Sequence, residues 1–581
     1  MPNILHTLLS YRIRLQRLFL ISENNSMLLW AALVGLLGAL ATIAFRECIT
    51  LLQLLFTGKS GSFVAIAKSL PWYWRVLLPT CGGVVAGAIL LLSKKVPAAA
   101  ASDYMEAVAI GDGRVPVRHS LLRSLSSLMT ISSGGSIGRE GSMVQLSALA
   151  ASVFGRFTHF EPGRLRLLVA CGAAAGITSA YNAPIAGAFF VTEIVLGSLV
   201  MESFGPIVVA SVVANITMRS LPGYKPSYEM PAFPDISGGE VLLFALLGIL
   251  VGFGAPLFLG FLNFTKKQFK KTALPLPWRL GLGGLLTGTI SVWIPEVWGN
   301  GYSIVNSLLH TPWVWWSVLM ILAAKVIATA ITTGSGAVGG IFTPALFVGA
   351  SIGFLFGVVV HTLWPGATSA PFAYAIVGMG AFLAAATSAP LMAILMIFEM
   401  TLSYQVMLPL MLSCVLAYFI ARSLNGPSMY DITLKRHRDE QERVRLRGIH
   451  MSELIRPADT ILPMTASFEE ISRLFLKYPV KYIYIVDSDQ RYCGVVALQD
   501  ITSTLLNKNE TASHQASDFL RREYLHVITP DMSLGKALEL FLDHQGERLP
   551  IVRSEKDPVL LGAVYKSSLL DAYFRLDNPK M

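Results

Sequence analysis

The sequence predicts an all-α polytopic membrane domain with an inverted internal repeat and broken helices, followed by a small α/β module. Three observations predict it. Only 14% of the 581 residues are charged, against about 25% in soluble domains, and the mean hydropathy is +0.57. Apolar segments interrupted by Gly and Pro follow one another from about residue 27, and between residues 302 and 421 only Lys325 and Glu399 are charged. Charged residues become frequent again after residue 430.

Lipid must be the solvent for most of this chain, because so few charges cannot cover a soluble surface of its size. A soluble enzyme, a disordered protein and a secreted disulfide scaffold are therefore excluded. The net charge of +10 is attributed to cytoplasmic loops that follow the positive-inside rule, and no nucleic-acid partner is predicted. The five cysteines form no C-x-x-C pair, so neither a disulfide framework nor a metal site is indicated.

The basic segments predict the orientation of the membrane domain. Residues 1–26 form a basic amphipathic pattern, which predicts a helix on the cytoplasmic face. The cationic loop 266–271 is also placed in the cytoplasm, and the Pro-rich loop 219–236 outside. Both termini are thus predicted to be cytoplasmic, with the multi-pass domain spanning 27–430.

An internal repeat divides this domain at about residue 236, into 27–236 and 237–430. AYNAPIAGAFFVTEI at 180–194 matches ATSAPLMAILMIFEM at 386–400. The Ala-Pro pairs and the acids Glu193 and Glu399 align at one offset of 206 residues, 399 minus 193. Repeats of this kind in transporters commonly have inverted topology, with the substrate held between them by the ends of broken helices.

Two glycine-rich turns are the candidate anion site. SSGGSIGREGSMV covers 132–144 and places Gly138, Arg139, Glu140 and Gly141 at a predicted helix start; GSGAVGGIFTPAL covers 334–346. A helix start offers unpaired N–H groups and the positive end of the helix dipole, which attract an anion. The carboxylate of Glu140 can occupy the place of the anion and leave when it is protonated, so Glu140 is predicted to be a gate. An ion pair with Arg139 is disfavoured, since adjacent helical residues do not face each other.

These turns resemble two signature motifs of the CLC family of chloride channels and proton-coupled chloride antiporters, namely Gly-Arg-Glu-Gly at 138–141 and Gly-Ile-Phe-Thr-Pro at 340–344. The resemblance implies a homodimer in the bacterial inner membrane with one chloride pathway per subunit. It also implies that Glu140 gates this pathway, that the amides of Ile341 and Phe342 line the anion site, and that the Tyr430 hydroxyl coordinates the central anion.

Two departures from the family pattern bear on selectivity and mechanism. The first motif is degenerate: alignment puts Ala100 where the family has an anion-coordinating serine, and Ser102 could substitute only if the register slips. The acid that passes protons inward in the antiporters is replaced by Ile194, which cannot carry a proton. Channel-like conduction is therefore favoured, with proton-coupled exchange through another acid, such as Glu193, as the alternative.

The tail contains a second repeat beyond a charged linker at 431–448. MSELIRP at 451–457 matches ASDFLRR at 516–522, and GVVAL at 494–498 matches GAVYK at 562–566. These units resemble a tandem pair of CBS domains, at 449–508 and 514–577. The resemblance implies a possible adenosine nucleotide, with Asp500 accepting hydrogen bonds from a ribose, or alternatively a module that stabilises the dimer. No cofactor is predicted to be required for transport.

The sequence disfavours two functions other than anion transport. Residues 134–138 spell G-x-S-x-G around Ser136, which would suit an intramembrane serine hydrolase, but no suitable base accompanies it. A divalent-cation channel would need acidic or carbonyl rings, whereas the membrane acids are few and lie at helix starts that repel cations. The protein is therefore predicted not to be an enzyme and to have no catalytic residue.

Overall fold

The computed structural model describes residues 23–94, 103–109, 111–221, 226, 228–424, 426–430, 451–506, 514–522, 526–542, 544 and 546–577. The chain divides into two compact units, Met1–Leu434 and Lys435–Met581. The predicted N-terminal helix before residue 23 and the predicted linker 431–448 lie outside the described residues, so both stay predictions.

The first unit is helical throughout its described part. Its α-helices are α1 Glu23–Thr57, α2 Phe63–Ser69, α3 Trp72–Lys94, α4 Tyr104–Ala109, α5 Val117–Ser132, α6 Glu140–Phe157, α7 Pro162–Tyr181, α8 Pro184–Phe189, α9 Met201–Arg219, α10 Glu240–Lys271, α11 Leu276–Trp293, α12 Tyr302–His310, α13 Trp315–Gly334, α14 Phe342–Leu363, α15 Pro371–Thr387, α16 Pro390–Thr401 and α17 Met407–Ser423. A π-helix, Phe190–Leu196, extends α8, and 3-10 turns occupy Pro295–Val297 and Tyr404–Val406.

Seven helices in the described part are long and apolar enough to cross a bilayer, namely those at 26–57, 72–93, 201–219, 240–271, 315–334, 342–363 and 404–423. The other apolar helices are shorter, at 184–196, 371–387 and 390–401. Helices that stop inside a membrane are tolerated only where protein or a water-filled cavity satisfies their ends. The prediction of an all-α membrane domain with broken helices is confirmed.

Small residues let the helices approach closely, as is usual in membranes. A Cβ placed on Gly349 of α14 would lie 2.4 Å from the carbonyl oxygen of Gly378 in α15, and a Cβ on Gly378 would lie equally close to the oxygen of Gly349. The two backbones therefore touch. This contact fixes α14, whose first residue belongs to the second glycine-rich turn.

The internal repeat has matching local geometry in both halves. Helix α7 ends at Asn182 (φ 60°) and α15 ends at Ser388 (φ 58°), so both chains leave the helix through the left-handed region. The next helices, α8 and α16, each begin at a proline, a residue whose fixed φ suits the first helical position. The aligned positions in the sequence thus adopt the same helix–turn–helix conformation.

The aligned acids exchange contacts between the repeats. The carboxylate of Glu193 accepts hydrogen bonds from the amides of Leu391 (3.2 Å) and Met392 (2.8 Å) at the start of α16. The carboxylate of Glu399 accepts from the amides of Ile185 (2.9 Å) and Ala186 (2.8 Å) at the start of α8. Each acid therefore caps the helix of the other repeat. Such reciprocity requires an approximate two-fold axis between the two halves.

The second unit contains two α/β modules. The first has a three-stranded sheet, β1 Ile461–Pro463, β2 Tyr482–Val486 and β3 Tyr492–Ala497, in which β1 is parallel and β3 antiparallel to β2. Its helices are α18 Phe468–Lys477 and α19 Leu498–Leu506. The second has helices α20 Leu534–Leu542 and α21 Lys566–Asp577 around the antiparallel pair β4 Arg548–Val552 and β5 Leu560–Tyr565. Short 3-10 turns at Met451–Leu454 and Ala516–Phe519 precede the modules.

The matched sequence segments at 494–498 and 562–566 overlap β3 and β5, and these strands pair with β2 and β4, respectively. In both pairs the register shifts near the end, between Ile485 and Val486 and between Ile551 and Val552. The α/β tail predicted by the sequence repeat is confirmed.

Candidate anion site

The two glycine-rich turns meet in the membrane unit. The amide of Gly138 donates to the carbonyl oxygen of Gly340 (2.7 Å), and the amide of Gly340 donates to the carbonyl oxygen of Gly138 (2.8 Å). The pair forms an isolated antiparallel bridge that joins the two repeats. A Cβ placed on Gly138 would lie 2.8 Å from the oxygen of Gly340, so the bridge depends on the missing side chain. The structure thus brings together turns that are about 200 residues apart in the sequence.

Each turn leads into a helix start that, in the described residues, receives no side-chain cap from the residue before it. The residues preceding α6 and α14 are Arg139 and Ile341, and within the described part of the chain neither side chain makes a capping hydrogen bond. The first amides of a helix have no acceptor inside the helix and favour negative charge. Gly141 belongs to the first of these helices and Phe342 begins the second. Both starts are therefore suited to an anion.

The carboxylate of Glu140 lies at this junction and is 1% exposed. Its Oε1 accepts hydrogen bonds from the hydroxyl of Thr343 and from the hydroxyl of Tyr302 (3.0 Å). Its Oε2 is buried and lacks a hydrogen-bond partner among the described residues. That oxygen faces the glycine bridge, because a Cβ on Gly138 would lie 2.1 Å from it and a Cβ on Gly340 3.3 Å. A carboxyl side chain is thus buried beside the two helix starts.

A cluster of hydroxyl groups surrounds this carboxylate. Tyr181 is hydrogen-bonded to Thr343 (2.9 Å), and Thr343 lies 3.3 Å from the Tyr302 hydroxyl. The ring of Tyr228 packs edge-on against the Tyr302 ring, with centroids 4.7 Å apart. The sequence reasoning assigned no role to these side chains, although Thr343 belongs to the second glycine-rich motif. The threonine hydroxyl within that motif is the one sequence feature that could have indicated a hydrogen-bond donor at the site.

Arg139 does not neutralise its neighbour directly. Its guanidinium lies 5.3 Å from the centroid of the Tyr302 ring, in cation–π geometry. The salt bridges of the described residues do not include one between Arg139 and Glu140. Arginine therefore packs on the tyrosine whose hydroxyl binds the carboxylate.

The remaining predicted site residues fall in two groups. Tyr430 packs edge-on against Phe190, the first residue of the π-helix, with ring centroids 5.9 Å apart. Ile194 lies in the same π-helix and is fully buried, and its neighbour Glu193 is engaged by the amides of α16. Ala100 and Ser102 lie outside the described residues, so their roles stay predictions.

The serine of the G-x-S-x-G pattern has no base beside it. The hydroxyl of Ser136 is hydrogen-bonded to the hydroxyl of Thr329 at 3.0 Å. His310 and His361 contact Asn306 and Thr368 instead. A serine nucleophile needs a base within hydrogen-bond reach, and in the described residues Ser136 shows none. The hydrolase reading is unsupported.

In the second unit, Asp500 lies at the start of α19 and forms a salt bridge with Arg521. The other carboxylate oxygen, Oδ2, is buried without a partner among the described residues. The equivalent position in the second module, Ser568, is also buried, and its hydroxyl likewise has no partner there. A ribose could reach Asp500 only by displacing or accommodating the arginine.

The glycine bridge yields a testable prediction. We expect Gly138→Ala to disrupt the junction, because the new methyl group would clash with both the Glu140 carboxylate and the Gly340 carbonyl. A clash with backbone in a packed site typically costs about 1–3 kcal/mol or more. Anion flux in liposomes should fall at every pH. Gly260→Ala is the matched control, since nothing lies within 4 Å of its would-be Cβ. Equal flux in both variants would contradict the role of the bridge.

Comparison with known proteins places this geometry in a family. Residues 82–422 match the family model described as voltage gated chloride channel, and residues 451–507 and 516–575 match the CBS domain. A ClcB-like chloride channel protein of Ralstonia nicotianae is 54% identical over 72% of this chain and 99% of its own. The voltage-gated ClC-type chloride channel ClcB of Salmonella dublin is 41% identical over 69% of this chain and 97% of its own.

A solved structure, that of a slow cyanobacterial Cl⁻/H⁺ antiporter, superposes with a TM-score of 0.63 at 26% identity, covering 72% of this chain and 98% of that one. The family consists of membrane channels and transporters, not enzymes. With its matched motifs, its broken helices and its paired C-terminal modules, the chain belongs to the voltage-gated chloride channel (CLC) family and carries a pair of CBS domains.

Proposed function

We propose that this protein moves chloride or a similar small anion across the bacterial inner membrane, and that Glu140 gates the pathway. The observation that supports this most directly is the buried Glu140 carboxylate beside two uncapped helix starts. An anionic side chain in that position competes with a permeant anion for the same donors. The names of the relatives, which are chloride channels and a Cl⁻/H⁺ antiporter, support chloride as the substrate.

Around this core we propose the family's arrangement. The amides of Ile341 and Phe342 would line the anion site together with Gly138, Arg139 and Gly141, and the Tyr430 hydroxyl would coordinate the anion from the cytoplasmic side. The protein would act as a homodimer, with both termini cytoplasmic. No cofactor would be required for transport, and an adenosine nucleotide bound to the CBS pair would have to displace or accommodate Arg521 at Asp500.

Channel-like conduction is the mechanism we favour. Ile194, which replaces the internal proton acid, is fully buried, and the adjacent Glu193 is committed to two amides of α16. A side chain held by two backbone amides is fixed in position, so Glu193 is poorly placed to pass protons between partners. Proton-coupled exchange is the second candidate, because the superposing cyanobacterial protein is an antiporter.

Liposomes with crossed chloride and pH gradients distinguish the two mechanisms. We expect a reversal potential that follows the chloride gradient and ignores the pH gradient, as conduction without proton coupling requires. A potential that shifts with the pH gradient would establish exchange instead. Glu193→Gln is then the informative variant, because it should abolish proton coupling only if Glu193 carries the proton.

A further inference from the structure

The number of protons on each hydroxyl at the candidate gate determines which group is the donor in each hydrogen bond. Each hydroxyl has a single proton to donate, and an ionised carboxylate can only accept. When Glu140 is ionised, Tyr302 and Thr343 must therefore both donate to its Oε1. Because the Thr343 proton is used in this way, the hydrogen bond between Tyr181 and Thr343 has Tyr181 as its donor. Two routes of donors therefore meet at Oε1: Tyr302 donates to it directly, and Tyr181 donates to Thr343, which in turn donates to it.

Packing surrounds these donors: Tyr181 and Thr343 are buried, and Tyr302 is partly buried. Tyr181 is 3% exposed and Thr343 is fully buried. The ring of Tyr302 is held between the Arg139 guanidinium on one side and the Tyr228 ring on another, and the ring of Tyr181 packs against Phe342 with centroids 5.1 Å apart. Donors preorganised in a water-excluded site bind negative charge far more strongly than donors in water.

The same donors would suit a small anion. Hydrogen bonds to an ionised acceptor are roughly twice as strong as those between neutral groups, so protonation of Glu140 weakens its hold on Tyr302 and Thr343. A charged anion can then displace the neutral carboxyl group from the two hydroxyls. Anion binding in turn favours the open state, because a ligand shifts a protein toward the state to which it binds more tightly. Together with Tyr430, which we propose coordinates the anion from the cytoplasmic side, these hydroxyls are the candidate side-chain donors among the described residues.

We propose that the hydroxyls of Tyr302 and Thr343, positioned by Tyr181, form a donor site that binds the Glu140 carboxylate in the closed state and the permeant anion in the open state. This inference rests on the proposed function and names the residues that set the affinity for the anion. Tyr302 and Thr343 would contact the anion directly, whereas Tyr181 is a positioning residue that acts through Thr343.

Chloride efflux from liposomes, measured against pH, tests the closed state. We expect Tyr302→Phe and Thr343→Val to move half-activation to higher pH by about one unit each, because a lost hydrogen bond to a charged group favours the protonated form by about that much. Thr343→Ser keeps the hydroxyl and should behave like the wild type, which separates loss of the donor from a packing defect. Tyr181→Phe should shift the midpoint in the same direction by a smaller amount.

The open state is tested in the Glu140→Gln background, where no carboxylate competes. There the chloride concentration for half-maximal flux should rise several-fold with Tyr302→Phe or Thr343→Val. Tyr374→Phe is the matched control, since this buried tyrosine donates to another buried acid, Glu240, at 2.7 Å, and it should change neither the midpoint nor the chloride dependence.

Two outcomes would overturn the inference or its basis, and they are distinguishable. If Glu140→Gln removes the pH dependence while the hydroxyl variants keep the wild-type midpoint and chloride dependence, the donor site is wrong although the gate is right. If neither the wild type nor Glu140→Gln carries chloride, the proposed function fails and the inference fails with it.

Discussion

Glu140→Gln is expected to give anion flux that does not change with pH. In the wild type the carboxylate should occupy the anion site at high pH and leave when protonated, so flux should rise as pH falls. Glutamine is neutral at every pH and has nearly the same shape, so it mimics the protonated form throughout. Above the midpoint the wild type should lose about tenfold in open fraction for each pH unit, whereas the variant should not. The difference should therefore be largest at alkaline pH.

Liposome efflux between acid and alkaline pH measures this directly, and a buried acid outside the site supplies the control. Glu240 is 3% exposed and accepts hydrogen bonds from the Ser369 amide (2.6 Å) and the Tyr374 hydroxyl (2.7 Å). Glu240→Gln should leave the pH dependence as in the wild type. Flux through Glu140→Gln that still falls as pH rises would assign the gate to another group.

The sequence was informative where structure is determined locally. The Ala-Pro turns of the two repeats were recognisable because proline and a left-handed residue fix the chain in the same way at both positions. The helix starts at Glu140 and Phe342 were predictable for a similar reason, since glycine-rich turns precede both. The acids Glu193 and Glu399 were found by their common offset. The sequence alone did not show that each acid contacts the helix of the other repeat.

The hydroxyl cluster could not be predicted, because it is assembled from distant parts of the chain. Tyr181, Tyr228, Tyr302 and Thr343 come from four separate segments, and a tyrosine in an apolar helix is ordinarily a packing residue. Only the tertiary fold shows that two of these hydroxyls, those of Tyr302 and Thr343, contact one carboxylate and that Tyr181 contacts Thr343. Ala100, in the degenerate first motif, lies outside the described residues, so the loss of a donor at that position stays a prediction.

In the sequence, Lys325 stands out only as one of two charged residues between residues 302 and 421. In the structure it binds the loop that precedes Tyr302. It is 1% exposed, and its ammonium donates to the carbonyl oxygens of Gly299 (2.6 Å), Val297 (2.7 Å) and Trp298 (3.4 Å). An ammonium has three protons, so the three carbonyls match its donors. These residues form the loop that leads into Tyr302, the tyrosine that contacts Glu140.

Lys325→Met should consequently cost both stability and gating. Methionine has a similar length but no donor, so three buried carbonyls would lose their partner, at about 1–3 kcal/mol for each one left unsatisfied. We expect the apparent unfolding temperature in detergent to fall by about 5 °C or more, and the midpoint of acid activation to shift because Tyr302 is no longer held.

Lys267→Met, at an exposed position near the end of α10, is the matched control and should change the unfolding temperature little, as surface substitutions usually do. Thermal unfolding followed by intrinsic fluorescence, together with liposome efflux, measures both effects. If Lys325→Met unfolded at the same temperature as Lys267→Met, the carbonyls would have found other partners and the lysine would not be what holds the loop. If only stability fell while the midpoint stayed, the loop would support the fold without positioning Tyr302 at the gate.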